Sequence, residues 1–200
     1  MEVLSIVAAA ATALQISVLV ALHVLPTGYN PVRDALSDYG VGRYRAVFWA
    51  QVWLGGLARV GLAFALLRSH PSKPGLVVAL LLVSAAALVL MPAFPTDQGG
   101  SRFRTPTGTV HMVLAVTAFA AVTVAASNLA GTLRHDPAWH GVKSLVVILP
   151  WVMTGTVIAT AVATIGPRLK RVFGLIERLF TASSIAWFLV VTIELARIAG

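Results

Sequence analysis

The sequence contains no cysteine and little charge, and both absences narrow what the protein can be. Without cysteine, disulfide bonds, thiolate metal ligands and cysteine nucleophiles are excluded. Asp, Glu, Lys and Arg make up 11% of the 200 residues, whereas 58% are hydrophobic. A water-soluble globule of this size needs more polar surface than that. The composition therefore predicts an integral membrane protein.

The charge that is present is mainly positive, with a formal net charge of +8 at pH 7. A basic balance can indicate nucleic-acid binding, but here the Lys and Arg residues lie in short segments between apolar runs. Basic residues in such places usually anchor the chain at the cytoplasmic surface and contact lipid phosphates. The pattern therefore indicates membrane lipids as partners and argues against nucleic acid.

Six apolar runs are long enough to cross a bilayer. A hydrocarbon core of about 30 Å requires about 20 helical residues, and Pro and Gly residues occupy the gaps between the runs. We predict an all-α bundle of six transmembrane helices that forms a single domain over residues 1–200. The start of the chain lacks the basic segment of a signal peptide, so the first run is expected to be a mature helix. The predicted spans are 3–25, 46–67, 75–94, 108–132, 144–165 and 175–197.

The basic residues predict the orientation of this bundle. An even number of spans places the first, third and fifth loops on one side, which we call the loop-rich face. That face carries more basic residues than the other, which predicts that it is cytoplasmic. Its basic residues are Arg33, Arg43, Arg45, Arg102, Arg104, Arg168, Lys170, Arg171 and Arg178, against Arg68, Lys73, Arg134, Lys143 and Arg197 opposite.

The first loop carries signals for a short helix of its own. Asn30 before Pro31 is a typical helix start, and Gly40 is a typical stop, so we predict a helix over residues 31–39 along the loop-rich face. Helical spacing would place one apolar face against the membrane or the bundle. That face comprises Val32, Ala35, Leu36 and Tyr39.

Two carboxylates in this loop, Asp34 and Asp38, lie four residues apart. In a helix such a like-charge pair is slightly destabilising unless a cation lies nearby. Arg33, Arg43 or a metal ion can supply that positive charge. The alternative is a solvated interfacial helix whose carboxylates have no special role.

The third loop is the most polar stretch of the chain. Its two glycines and the arginines Arg102 and Arg104 suit an anion such as a phosphate group. The alternative is a flexible hairpin tip whose arginines anchor to lipid phosphates.

Further ionisable residues fall at the same membrane interface as these loops. His23 lies about one turn from the end of the first helix, His111 about one turn into the fourth, and Asp97 and Glu177 lie beside the third and sixth. We predict that His111 converges with Asp38, Asp97 and Glu177 in one polar pocket, with His23 at its edge.

Imidazoles and carboxylates together are ligands of zinc and other divalent metals. The residues available for such a site are His111, His23, Asp38 and Asp97. No local metal-binding signature supports the set, and haem is not expected. The alternatives are that Glu177 is favoured by the helix dipole and that each histidine bonds a neighbour.

Arg59 is the one cation deep within a predicted span. A charge there is costly and should face the bundle interior with a partner. Glu194 lies at a comparable distance from the far end of its own helix, so we predict an intramembrane ion pair between Arg59 and Glu194. A proton or substrate path is the alternative.

The polar motifs resemble the six-span prokaryotic membrane family catalogued as domain of unknown function 998. The resemblance covers essentially the whole chain and implies six helices in a prokaryotic cell membrane, with no established activity. Ser37-Asp38-Tyr39-Gly40 is also loosely similar to a loop motif of DRAM-type and GPI-anchor-remodelling membrane proteins, which implies a link to lipids. The matching stretches are Leu36-Ser37-Asp38-Tyr39-Gly40, Phe94-Pro95-Thr96-Asp97, His111 and Gly174-Leu175-Ile176-Glu177-Arg178-Leu179.

Three function classes follow from these residues. The first is a metal-assisted hydrolase or transferase acting on a lipid headgroup or similar amphiphile, the second a noncatalytic lipid-binding or partner-stabilising subunit, and the third a small transporter that uses Arg59 and Glu194. A homo-oligomer or a partner protein is left open. In the enzyme hypothesis the catalytic residues are His111, Asp38, Asp97 and Glu177, and the binding residues are Ser37, Tyr39, Arg102, Arg104 and Arg178.

Overall fold

Six long helices account for most of the fold. The computed structural model describes residues 2–69, 74–98, 104–165 and 169–200. Each long helix, with its flanking turns, is long and apolar enough to cross a membrane, which confirms the predicted six-span architecture. The helices are α1 (Glu2–Val24), α2 (Arg45–Ser69), α3 (Gly75–Leu90), α4 (Pro106–Leu133), α5 (Lys143–Ile165) and α6 (Phe173–Ala199).

The helices form a ring in chain order. Each helix packs on the next one along the chain, and α6 packs back against α1. The main cluster of buried apolar side chains includes Leu66, Leu133, Trp139 and Trp187, and it reaches the face opposite the loop-rich face. The ring is therefore filled by apolar packing in that half, whereas polar side chains enter its interior from the loop-rich end.

The residues at the start of α4 are ones that favour the beginning of a helix. The Thr105 hydroxyl accepts a hydrogen bond from the Gly108 backbone N–H at 3.0 Å, and Pro106 occupies the first helical position. A proline at that position loses no helical hydrogen bond, and its ring fixes a helical φ. The helix thus begins two residues before the predicted span.

The predicted short helix over residues 31–39 is wrong as a single element. Residues 31–34 form one turn, Ala35 is extended with ψ 150°, and a 3-10 helix follows at Leu36–Gly40. The break arises because each aspartate caps its own turn. The Asp34 carboxylate accepts from the Asn30 N–H at 2.6 Å, and the Asp38 carboxylate accepts from the Ala35 N–H at 2.9 Å.

We call residues 30–40 the cap segment, because it packs over the loop-rich end of the ring. Leu36 and Tyr39 are buried as predicted, whereas Val32 is exposed. The Val32 carbonyl accepts from the Leu175 N–H at 3.0 Å, which ties the segment to the first turn of α6. The segment therefore covers the interior of the bundle on this side.

Gly174 permits this close contact, which yields a test of the fold. A Cβ built on Gly174 would lie 2.2 Å from the Asp34 carbonyl and 2.8 Å from that of Pro31, so the backbone would have to move. Gly174→Ala should therefore lower the free energy of unfolding by about 1–3 kcal/mol, measured by thermal unfolding in detergent.

Gly155 is the matched control for that substitution. It lies in α5, and a Cβ there meets nothing within 4 Å. Gly155→Ala should leave stability unchanged or raise it by up to about 1 kcal/mol, since alanine favours a helix. Equal stability of the two variants would show that the cap segment is not seated on α6.

Candidate functional site

An internal cavity, which we call the chamber, lies inside the ring below the cap segment. Its volume of about 50 Å³ exceeds the roughly 10–15 Å³ that one water molecule requires, so it can hold a few waters or a small polar group. Its walls come from the cap segment and from helices α1, α2, α3, α4 and α6. The polar residues that line it are Gln15, Ser37, Gln51, Arg59, His111, Glu177, Thr181 and Ser184.

Glu177 and His111 lie at the loop-rich end of the chamber, and both are buried. The Glu177 carboxylate accepts from the Leu36 backbone N–H at 2.7 Å, so it holds the cap segment over the cavity. Asp38 is also buried, and its carboxylate caps Ala35 one turn earlier. Of the residues predicted to converge, His111 and Glu177 thus line one pocket, and Asp38 braces the segment above it.

The orientation of His111 is set by a backbone acceptor. Its Nδ1 lies 2.8 Å from the Phe94 carbonyl, and because a carbonyl accepts, Nδ1 carries the proton. In the neutral ring Nε2 is then the basic nitrogen. The geometry leaves a fixed imidazole in the wall of the chamber.

Arg59 lies at the deep end of the chamber. Its Nε donates to the Ser84 hydroxyl at 2.8 Å, one terminal nitrogen donates to the Gly55 carbonyl at 2.8 Å, and the guanidinium lies 5.0 Å from the centre of the Phe188 ring. Phe188 follows Glu177 by eleven residues, or about 16 Å of helix. Polar groups therefore line the interior from the loop-rich end to about mid-depth.

The predicted ion pair between Arg59 and Glu194 is not formed in the described part of the structure. Glu194 pairs instead with Arg197, whose Nε donates to its carboxylate at 3.0 Å. Arg197 also donates to the Ala138 carbonyl at the far face. A partner one turn away on the same helix is closer than Arg59, which packs at the level of Phe188.

Two glutamines of the chamber were not among the predicted site residues. Gln51 and Arg59 lie two turns apart on the same face of α2, and Gly55 between them lets Gln15 of α1 approach. A Cβ at Gly55 would lie 2.8 Å from Gln15 Nε2. The signal for them in the sequence was a polar amide inside an apolar span.

A second cavity, which we call the lateral groove, adjoins the chamber between α4, α5 and α6. Its volume is about 80 Å³, and its walls are mainly apolar. Val116 and Ala161 line it and are exposed, so the groove opens at the lipid-facing side of the bundle. The chamber and the groove share Ser37, His111, Ala115, Phe119 and Glu177.

Asp97 lies outside the pocket that was predicted to contain it. Its carboxylate accepts from the Thr105 hydroxyl at 2.7 Å and from the backbone N–H groups of Thr105 and Arg104. These bonds, that of the Thr105 hydroxyl first, lower the pKa of Asp97 below its usual value. Asp97 therefore organises the start of α4, the helix that carries His111.

His23 forms a separate cluster at the rim. Its Nδ1 donates to the Leu19 carbonyl, and its Nε2 accepts from Arg178 Nε at 2.7 Å. The Arg178 guanidinium also donates to the Asp34 and Gly174 carbonyls and lies 5.5 Å from the Tyr39 ring centre. Arg178 thus holds the cap segment from outside the chamber, through the Asp34 carbonyl and the Tyr39 ring.

Most of the predicted anion cradle in the third loop, including its two glycines, lies outside the described residues, so the cradle stays a prediction. The Arg104 side chain is exposed, while its backbone N–H donates to the Asp97 carboxylate. Arg102 lies outside the described residues.

The predicted metal site is not assembled. Within residues 2–69, 74–98, 104–165 and 169–200, no three His, Asp or Glu side chains are grouped closely enough to hold a metal ion. Each candidate has another neighbour: His23 bonds Arg178, Asp97 bonds Thr105, and Asp38 caps Ala35. Their positions at the ends of helices place these residues at one depth of the bundle, but not on one side of it.

The fold and the chamber define a polytopic helical membrane protein with a polar interior. The model of the family described as Protein of unknown function (DUF998) matches residues 9–194, and the chain belongs to that family. The match runs from α1 to α6 and confirms the predicted resemblance. No curated protein and no solved structure matches the chain. The likeness to DRAM-type and GPI-anchor-remodelling proteins stays a prediction.

The bond from Leu36 to Glu177 provides a test of how the chamber is closed. Glu177→Ala removes the acceptor of a buried N–H group, which should cost about 1–3 kcal/mol and loosen the cap segment. Hydrogen exchange in detergent should show faster exchange over residues 35–40. Glu177→Gln keeps an acceptor oxygen and should restore most of the protection. Unchanged exchange in Glu177→Ala would contradict the proposed closure.

Proposed function

We propose that this protein binds an amphiphile from the surrounding membrane, with the polar group in the chamber and the apolar chain in the lateral groove. The single observation that carries this proposal is the wall that the two cavities share at Ser37, His111, Ala115, Phe119 and Glu177. A ligand that crosses this wall meets both polar and apolar side chains in the chamber and mainly apolar side chains in the groove. An amphiphile fits this arrangement.

The lateral groove supports a ligand that arrives through the bilayer. It is lined by apolar and small residues such as Val157 and Ala161, and it opens on the surface that faces lipid chains. Ligand sites of this kind combine apolar walls with a few placed polar groups. Here those groups include Gln51, Arg59 and His111 in the chamber.

The cap segment supports retention of the polar group. It lies over the loop-rich end of the ring and is held there by Glu177 and Arg178 from α6. A polar group beneath it would be shielded from bulk water. Its hydrogen bonds to the protein would be stronger there than in water. We propose that membrane lipids of the cell membrane are the source of the ligand.

A second candidate function is hydrolysis or transfer on the bound amphiphile. The observation that favours it is that Ser37, His111 and Glu177 all border both cavities, where the polar and apolar parts of the ligand would meet. His111 Nε2 is the group suited to act as general base, and the Ser37 hydroxyl is a nucleophile of the right type. This version requires no metal.

The transporter hypothesis depended on an intramembrane pair of Arg59 and Glu194. Because Glu194 pairs with Arg197 at the far face, that hypothesis loses one of its two proposed pathway residues. Binding is therefore the function that the geometry supports best.

The test places a larger side chain in the wall that the chamber and the lateral groove share. Ala115 lies on α4 and borders both cavities, so Ala115→Leu should block the junction between them. Native mass spectrometry of protein extracted in a neutral detergent should show retained lipid on the wild type and about tenfold less on Ala115→Leu, equal to a loss of about 1.4 kcal/mol.

Ala120→Leu is the matched control, since Ala120 lies on the same helix and is exposed. It should retain lipid like the wild type. Thermal unfolding of both variants separates loss of binding from loss of folding. Equal lipid retention by all three proteins would contradict the proposal.

A further inference from the structure

The feature that carries a further inference is the set of partners around Arg59. The side chain is 6% exposed, and it lies fifteen residues into α2, about 21 Å from the start of that helix. Within the described ranges its partners are a hydroxyl, a backbone carbonyl and an aromatic ring, all of them uncharged. A guanidinium therefore lines the chamber with no carboxylate of the described chain in salt-bridge contact.

A charge at this depth normally has a partner of opposite charge, because leaving water is costly. The two acidic side chains of α6 lie away from the guanidinium. Glu194 is held by Arg197 at the far face, and Glu177 bonds Leu36 at the loop-rich end, about 16 Å along α6 from the level of Arg59. The balancing negative charge is thus not supplied by either of them.

The guanidinium has donors left for such a charge. Nε and one N–H of a terminal nitrogen are used by Ser84 and Gly55. The remaining N–H groups lie on the two terminal nitrogens, which is the edge that pairs with two oxygens of a carboxylate or phosphate. Ser84 is itself held, because its hydroxyl donates to the Ala118 carbonyl at 2.8 Å, so Arg59 is fixed in position.

Gln51 is an independent sign that the chamber receives a polar ligand. The side chain is 4% exposed and lines the chamber, and its Oε1 has no hydrogen-bond partner among the described residues. A buried carbonyl oxygen without a donor costs about 1–3 kcal/mol. A hydroxyl or N–H group on the ligand would satisfy it two turns above Arg59.

We propose that Arg59 and Gln51 form the recognition site for a singly charged oxyacid group, a carboxylate or a phosphodiester, whose carrier also offers a hydrogen-bond donor. This inference rests on the proposed function, which supplies the apolar chain in the lateral groove. One negative charge matches the single guanidinium. A doubly charged group would leave one charge uncompensated in the interior.

The experiment compares single-chain amphiphiles that differ in charge. Oleoyl lysophosphatidylglycerol carries one negative charge and free hydroxyls, and oleate carries the charge without a hydrogen-bond donor. Monoolein is neutral and keeps the same chain and the free hydroxyls of the first probe. Binding to the detergent-solubilised protein is measured by thermal shift and native mass spectrometry. The anionic probes should bind the wild type about tenfold or more tighter than monoolein.

Two variants on α2 separate a specific site from surface charge. Arg59→Gln should remove the preference for the anionic probes, so that they bind this variant no tighter than monoolein does. Arg68→Gln, the same substitution at an exposed position of the same helix, should keep the wild-type preference. If Arg59→Gln does not fold, the wild-type comparison still decides, because equal binding of charged and neutral probes overturns the inference.

The remaining outcomes distinguish this inference from the proposed function. Binding of all probes without a charge preference overturns the Arg59 site and leaves amphiphile binding standing. Binding of none of them overturns both. If acetate or dimethyl phosphate alone raises the unfolding temperature of the wild type and not that of Arg59→Gln, the result supports the anion site. The ligand would then be a free anion and not a lipid, which overturns the proposed function.

Discussion

The structure depends on one constraint, that a polar group within a hydrocarbon layer must find its partners inside the protein. Arg59 meets it through Ser84 and Gly55, and His111 through the Phe94 carbonyl. Because these side chains turn inward, the ring of helices surrounds a chamber that polar groups enter in its loop-rich half, while an apolar core fills the other half.

The fold could be predicted almost entirely from apolar run length. Spans such as 75–94 and 144–165 differ from the observed helices by only a few residues, because hydrocarbon thickness fixes helix length. The first loop could not be predicted in detail. Its residues satisfy helix-start rules at Asn30, but Asp38 caps Ala35 and ends the first turn. That competition depends on local side-chain geometry and not on composition.

The sequence predicted how deep each site residue lies in the bundle, but not which way its side chain faces. His111, Asp97 and Glu177 do lie near the same end of the bundle, because position along a helix fixes depth. Which way each side chain faces depends on helix rotation and loop path, which six nearly uniform apolar helices leave unspecified. Asp97 therefore caps α4 while His111 lines the chamber. Gln51 was missed because an uncharged amide in a span gives a weak signal.

Photo-crosslinking in nanodiscs would test most directly whether a lipid chain occupies the lateral groove. A fatty acid carrying a diazirine in its chain is incorporated, irradiated and mapped by peptide mass spectrometry. The account predicts labelling concentrated on α4 and α5 around Val116, Val157 and Ala161, and reduced labelling there in Ala115→Leu. Labelling spread evenly over lipid-facing residues of all helices, such as Leu14 and Val83, would contradict it.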